Sequence, residues 1–176
     1  MWSLGSLACL RPCVQEDQAF LYDVFCTTWE NQVAALPNPN LAQHVLRIQH
    51  IAQERRFASR YPGHHRYVVL DDGEPVGRVY VHEGTSMLHV IDLTLLPRFR
   101  SRGIGTRLAR EMFAHAAEHG LSIKVRVPRR NLRASGLYSS LGFRLVHIDD
   151  LDNYFEWTPP ADAEARLGLL SPAECV

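Results

Sequence analysis

Lysine is almost missing from this 176-residue chain: of its 19 basic residues, 18 are arginine and one is Lys124. The 19 acidic residues balance them to a formal net charge of zero, which argues against a general nucleic-acid or polyanion binder. No apolar run approaches the roughly 18 residues that a membrane span needs, so no membrane partner is expected. The opening MWSLGSLACL is apolar but short and lacks a basic leading stretch, so it does not read as a signal peptide. Cys9, Cys13, Cys26 and Cys175 lack the paired spacing of a zinc site, and the nine histidines include no HExxH pattern. No metal is expected. Free thiols fit a reducing compartment, and a soluble, cytoplasmic protein is the expectation. Internal repeats and low-complexity segments are also missing.

What is present is a globular composition, with 46% apolar residues and enough length for one domain with its own core. The most informative stretch runs from Val90 to Ala117. Val90, Ile91, Leu93, Leu95 and Leu96 form a near-continuous apolar run, as in a strand covered on both faces, and Pro97 ends it. Ile104, Leu108, Ala109, Met112, Phe113, Ala116 and Ala117 then recur at helical spacing, with Gly120 placed as the left-handed cap. Between strand and helix lies Arg100-Ser101-Arg102-Gly103-Ile104-Gly105-Thr106. Two glycines at a helix N-terminus, beside Arg98, Arg100, Arg102 and Arg107, predict an anion site. A plain strand–helix turn is the alternative. There is no Gly-Lys-Ser/Thr and no third glycine, which excludes a P-loop and a dinucleotide fingerprint.

The remaining segments supply the frame. Leu10–Val14 reads as a strand, and Glu16 to about Glu30 as a helix carrying Phe20, Leu21, Val24, Phe25 and Trp29. After the break at Pro37–Asn40, a second helix spans about Leu41 to Ser59, with Val45, Ile48, Ile51, Ala52 and Phe57 as its inward residues. A hairpin follows, Arg66–Leu70 and Pro75–His82, around Asp71–Glu74, with Val76, Val79 and Val81 as core candidates. Leu121–Val127 is the strand after the long helix. Asn131 is placed to cap a short helix that Gly142 stops, and Phe143–Ile148 pairs with Tyr154–Trp157.

Arg100-x-x-Gly103-x-Gly105, following Leu95-Leu96-Pro97, resembles the acyl-CoA pyrophosphate motif of the GCN5-related N-acetyltransferases. Asn131-Leu-Arg-Ala134-Ser-Gly-Leu137-Tyr138-Ser-Ser-Leu141-Gly142-Phe143 is similar to that family's second block. The resemblance implies an α/β fold with a mixed, mostly antiparallel sheet of six to seven strands, helices on both faces and splayed central strands. It covers a single domain over 10–158, between a flexible lead (1–9) and a tail (159–176). It also implies acetyl-CoA as acyl-donor cosubstrate, held by Leu95, Leu96, Arg100 to Thr106, Asn131 and Tyr138, with the pantetheine arm against the backbone near Thr94–Leu96. Homodimers are common in the family, although this sequence carries no signal for one.

Acetyl transfer to an amine needs a neutral nucleophile and a protonated leaving thiol. An alkylamine of pKa ~10.4 is neutral in about one molecule in 2,500 at pH 7, a gap of roughly 4.6 kcal/mol that a base must help to close. By the resemblance, Tyr138 donates the proton to the coenzyme A sulfur, and a phenol of pKa about 10 is protonated at neutral pH. A core tyrosine packed on Leu137 and Leu141 is the other reading. Asp92 and His89, both on the central strand, are the candidate bases, on opposite faces by alternation. A charge inside VIDLTLL is either paired, with an arginine or histidine, or functional. The expected activity is N-acetylation of an unidentified primary amine by direct attack in a ternary complex. A non-catalytic acyl-CoA sensor of the same fold, or a transferase using longer acyl chains or an oxygen acceptor, are the alternatives.

Overall fold

Seven strands and five helices make up residues 9–160, the part of the chain that the computed structural model describes. Residues 1–8 of the expected lead and 161–176 of the expected tail, including Cys175, lie outside the described residues. The strands are β1 (Leu10–Pro12), β2 (His65–Asp71), β3 (Glu74–Glu83), β4 (Met87–Leu95), β5 (Ser122–Pro128), β6 (Arg144–Ile148) and β7 (Asp152–Trp157). They hydrogen-bond in the order β1-β2-β3-β4-β5-β7-β6. The β4–β5 pair is parallel, whereas β1–β2, β2–β3, β5–β7 and β6–β7 are antiparallel. This is the mixed, mostly antiparallel sheet expected, at the upper of the two strand counts.

The described chain divides into two compact units, one comprising 9–82 and 91–104, the other 83–90 and 105–160. The first holds β1 to β3, the second half of β4, and the helices α1 (Gln18–Cys26), α2 (Glu30–Ala34) and α3 (Pro39–Arg60). The single helix expected from Glu16 to Glu30 is divided here. Thr27 and Thr28 each turn a hydroxyl back to a carbonyl three residues earlier, Val24 O and Phe25 O, both at 2.8 Å. That local bonding competes with continuation of the helix. α3 starts at Pro39, where the Asn38 side chain accepts from Asn40 N at 2.8 Å and proline occupies the first turn.

The inward face of α3 is not the predicted one. Ile48 and Ile51 are about half exposed (51% and 50%), Ala52 is exposed, and of the expected stripe only Phe57 is buried. His50, Gln53 and Glu54 face inward instead, because Arg78 and Arg66 on the strands need partners there.

The second unit holds the first half of β4, then α4 (Ile104–Glu118, from its second residue), β5, α5 (Leu132–Ser140), β6 and β7. Its parallel ladder runs from Met87↔Ser122 to Val90↔Val125. The remainder of β4, from Ile91, belongs to the first unit. α4 buries the predicted stripe at Ile104, Leu108, Ala109, Met112 and Ala116. It ends at Gly120, φ +65°, with Leu121 N donating back to Ala116 O at 2.7 Å. Phe113 stacks on Trp157, ring centres 4.5 Å apart.

Candidate active site

The turn after β4 is fastened from within. Arg100 Nε donates to Leu95 O at 2.8 Å, and its Nη2 reaches Thr27 Oγ1 at 3.3 Å. Arg98 lies over the Phe99 ring and pairs with Glu74 at 3.1 Å, and Arg102 lies over the same ring at 5.1 Å. Much of the arginine charge foreseen for an anion thus also shapes the loop. Leu96 N is given to Val76 O at 2.9 Å. Ser101 (φ +63°) and Gly103 (φ +79°) are both left-handed, and Ile104 then opens α4. A non-glycine residue there costs about 1–2 kcal/mol, so Ser101 marks a strained turn. A Cβ built on Gly103 meets no atom within 4 Å, so the loop is open on that side. Thr106 and Gly105 occupy the first turn of α4 and are half-buried.

Asp92 is paired. Arg78 Nε donates to its Oδ2 at 2.6 Å, and Thr94 Oγ1 donates to its Oδ1 at 2.9 Å. The Arg78 side chain is wholly buried, whereas that of Asp92 is 17% exposed. Arg78 also donates to Gln53 Oε1 at 2.9 Å and Leu21 O at 3.4 Å, lies 5.0 Å from the Tyr80 ring centre, and has Glu54 at 3.7 Å. Burial opposes its charge, and Asp92 and Glu54 more than offset that, so the guanidinium stays cationic. Burial pushes the Tyr80 hydroxyl up to about 12, so it is a neutral partner, accepting from Arg66 Nη2 at 3.3 Å. Glu54 also faces Arg66 at 3.4 Å and His50 at 3.9 Å. Among the described residues, the buried atoms His50 Nε2, Glu54 Oε1, His64 Nε2 and Arg66 Nε have no hydrogen-bond partner. The network is tight at Asp92 and loose at Glu54. His89 is half-buried, opposite Lys124 in the paired part of β4, and alternation places it on the other face from Asp92.

Tyr138 is buried in α5, edge-on to Phe143 (5.1 Å) and tilted to Phe155 (6.2 Å) rather than seated on Leu137 and Leu141 alone. Asn131 caps α5, its Oδ1 accepting from Ala134 N at 3.1 Å. The amide nitrogen of Asn131 is not used by that cap.

A family model described as the Acetyltransferase (GNAT) family matches residues 20–143, well over half of the chain. This chain belongs to the GNAT acetyltransferase family. By that family it is an acetyltransferase domain, with acetyl-CoA as its acetyl donor. The GNAT domain is 30% identical over 107 residues to human N-acetylaspartate synthetase, covering 59% of this chain and 35% of that protein. It thus spans about a third of the length of the curated relatives it matches, the rat protein included. Its fold is that of the PaiA N-acetyltransferase from Thermoplasma acidophilum in complex with coenzyme A, with a TM-score of 0.64 and 19% identity over 85% of this chain and 97% of that one. An acetyltransferase from Thermus thermophilus superposes similarly, with a TM-score of 0.61 and 21% identity over 85% and 95% of the two chains.

Sequence reasoning missed the polar cluster of this GNAT domain. A signal was available: His50, Gln53, Glu54 and Phe57 recur at helical spacing, and Arg78 alternates with Val76 and Tyr80 on one face of β3. The cluster has a consequence for pH. Burial, the largest cause, holds His50 and His64 below the ordinary histidine value. The unfolded chain therefore takes up protons near pH 6.5 that the folded chain does not, so this contribution is complete above about 6.5 and declines as pH falls below it. Melting temperature should be level from pH 8 to 7 and drop from pH 6.5 to 5. A His50→Gln/His64→Gln variant should show a shallower drop. An equal slope would assign the effect to other groups, such as His115, which burial shifts the same way.

Proposed function

We propose that this domain transfers the acetyl group of acetyl-CoA to a primary amine by direct attack in a ternary complex. The observation that carries this reading is the strained turn at Ser101 and Gly103 leading into α4. The first amides of a helix have no partner within it, and the dipole there favours an anion, as a pyrophosphate requires. Acetyl-CoA supplies the activated thioester. Arg100 to Thr106 hold its pyrophosphate; Asp92, with His89 as the other candidate base, takes the proton that the amine sheds as its nitrogen bonds the acetyl carbon, and Tyr138 gives a proton to the sulfur as the C–S bond breaks. An amine acceptor is supported by the human relative, whose name gives a product acetylated on nitrogen. Unbridged thiols at Cys13 and Cys26 suit a reducing cytoplasm. No helix among the described residues is long and apolar enough to cross a membrane.

Calorimetric titration with acetyl-CoA, and with coenzyme A as control, tests the donor site. Micromolar binding is expected, and Gly103→Asp should weaken it by about 100-fold or more by setting a carboxylate against the pyrophosphate. Unchanged affinity would remove the loop from the site. Thiol release with L-aspartate, n-butylamine and a lysine-containing peptide then tests the reaction. Binding without turnover of any amine would favour the sensor reading.

A further inference from the structure

We propose that Arg78 is a positioning residue for the acceptor: it fixes the direction in which the Asp92 carboxylate presents its remaining lone pairs to the incoming amine. The inference rests on the reading of Asp92 as the acceptor-side carboxylate.

The network runs from a fixed interior to a solvent-reached end. The guanidinium of Arg78 is held by groups from three elements, Leu21 O on α1, Gln53 Oε1 on α3 and Asp92 Oδ2 on β4. A planar fork bonded on three sides cannot rotate without breaking one of these bonds. Its shortest contact is the one to Asp92, at 2.6 Å, whereas the ion pairs of Glu54 are 3.4 Å or longer. Thr94 Oγ1 takes the other Asp92 oxygen at 2.9 Å. Each oxygen then retains a lone pair, and both are fixed in direction rather than swept by rotation of the carboxylate.

Stability alone does not account for the arrangement. Apolar side chains of similar volume often serve stability as well as a buried ion pair does, or better. Here the buried partner is clamped, and its mate Asp92, which solvent reaches in part (17%), is the residue read as meeting substrate. The inward polar stripe of α3 follows from the same requirement. Gln53 and Glu54 turn inward, and Ile48 and Ile51 are left at the surface, because the guanidinium must be held.

The test uses the full chain and the amine with the highest kcat/KM among L-aspartate, n-butylamine and the lysine peptide. Five variants are compared: Asp92→Asn, Arg78→Lys, Gln53→Leu, Asp92→Asn/Arg78→Lys and Asp92→Asn/Gln53→Leu. For each, kcat, KM for the amine, acetyl-CoA affinity and melting temperature are measured. Asp92→Asn should lower kcat/KM by about 100-fold, and Arg78→Lys, which keeps the charge but loses the fork, by about 10-fold. Gln53→Leu should act in the same sense but less. All three should leave acetyl-CoA affinity unchanged, and in the Asp92→Asn background Arg78→Lys should add nothing. An undiminished Arg78→Lys effect in that background overturns the positioning role, as does unaltered kcat/KM in Arg78→Lys. Full activity in Asp92→Asn instead removes Asp92 from the acceptor side, and the inference falls with it. If Arg78→Lys does not fold, Gln53→Leu decides by the same comparison, alone and with Asp92→Asn.

Discussion

Placing a side chain on Gly77 should be the most damaging single change to stability in the first unit. A Cβ there would collide with the carbonyl oxygen of Thr94, and would lie 2.8 Å from Leu95 Cδ2 and 3.0 Å from Leu95 Cα. Two of these three atoms are backbone, which cannot step aside as a side-chain tip can. β3 would have to move away from β4, where Leu96 N donates to Val76 O. Overpacking costs about 1–3 kcal/mol where neighbours adjust. Gly77→Ala should therefore lose about 3 kcal/mol, and Gly77→Val should lose soluble expression, since domains have only about 5–15 kcal/mol in total. Urea unfolding of the alanine variant is the measurement. An unchanged midpoint would mean that the Thr94–Leu95 backbone is compliant, which would also weaken any role it has in holding Asp92.

Tyr138→Phe should have the largest effect on turnover with the least effect on fold. The phenylalanine ring retains the packing on Phe143 and Phe155. What is lost is the hydroxyl, and removal of a general acid typically costs about 100-fold or more in kcat. Acetyl-CoA affinity and melting temperature should stay close to those of the parent protein. The structural alternative predicts kcat intact. Saturating kinetics and a thermal melt on the same sample separate the two, and an unaltered kcat would make Tyr138 a core residue only.

Legibility in the sequence followed how local each feature is. The strand, turn and helix from Val90 to Gly120 were readable because every determinant lies close by in the chain: the apolar run, Pro97, the glycine pair, the helical stripe and the cap. Asn131 and Gly142 were readable for the same reason. Periodicity also found α3 but turned it the wrong way. It assumes that the buried face is the apolar one, and here Arg78 and Arg66, 18 and 6 residues beyond the end of the helix at Arg60, reverse the preference. A charge in VIDLTLL announced that Asp92 was paired or functional, yet only the fold could supply Arg78, fourteen residues away, as the partner. Arg100 taught a similar lesson. Its charge pointed to an anion, and much of its hydrogen bonding goes to the loop that carries it.

The division of β4 bears on how the chain is made. The polypeptide passes from one unit to the other three times, after His82, Val90 and Ile104. Residues 83–90 therefore leave the ribosome before residues 91–104 have completed the first unit, and they wait for partners on β5 that begin at Ser122. Synthesis proceeds from the N-terminus, and pairings distant in sequence form late. A nascent chain stopped short of residue 92 lacks Asp92, Thr94 and Leu95, so Arg78 and Gly77 have no strand to meet. Arrested chains ending at 82, 104 and 128 would then gain protease resistance in steps, and no single cut in the sequence would release either unit whole.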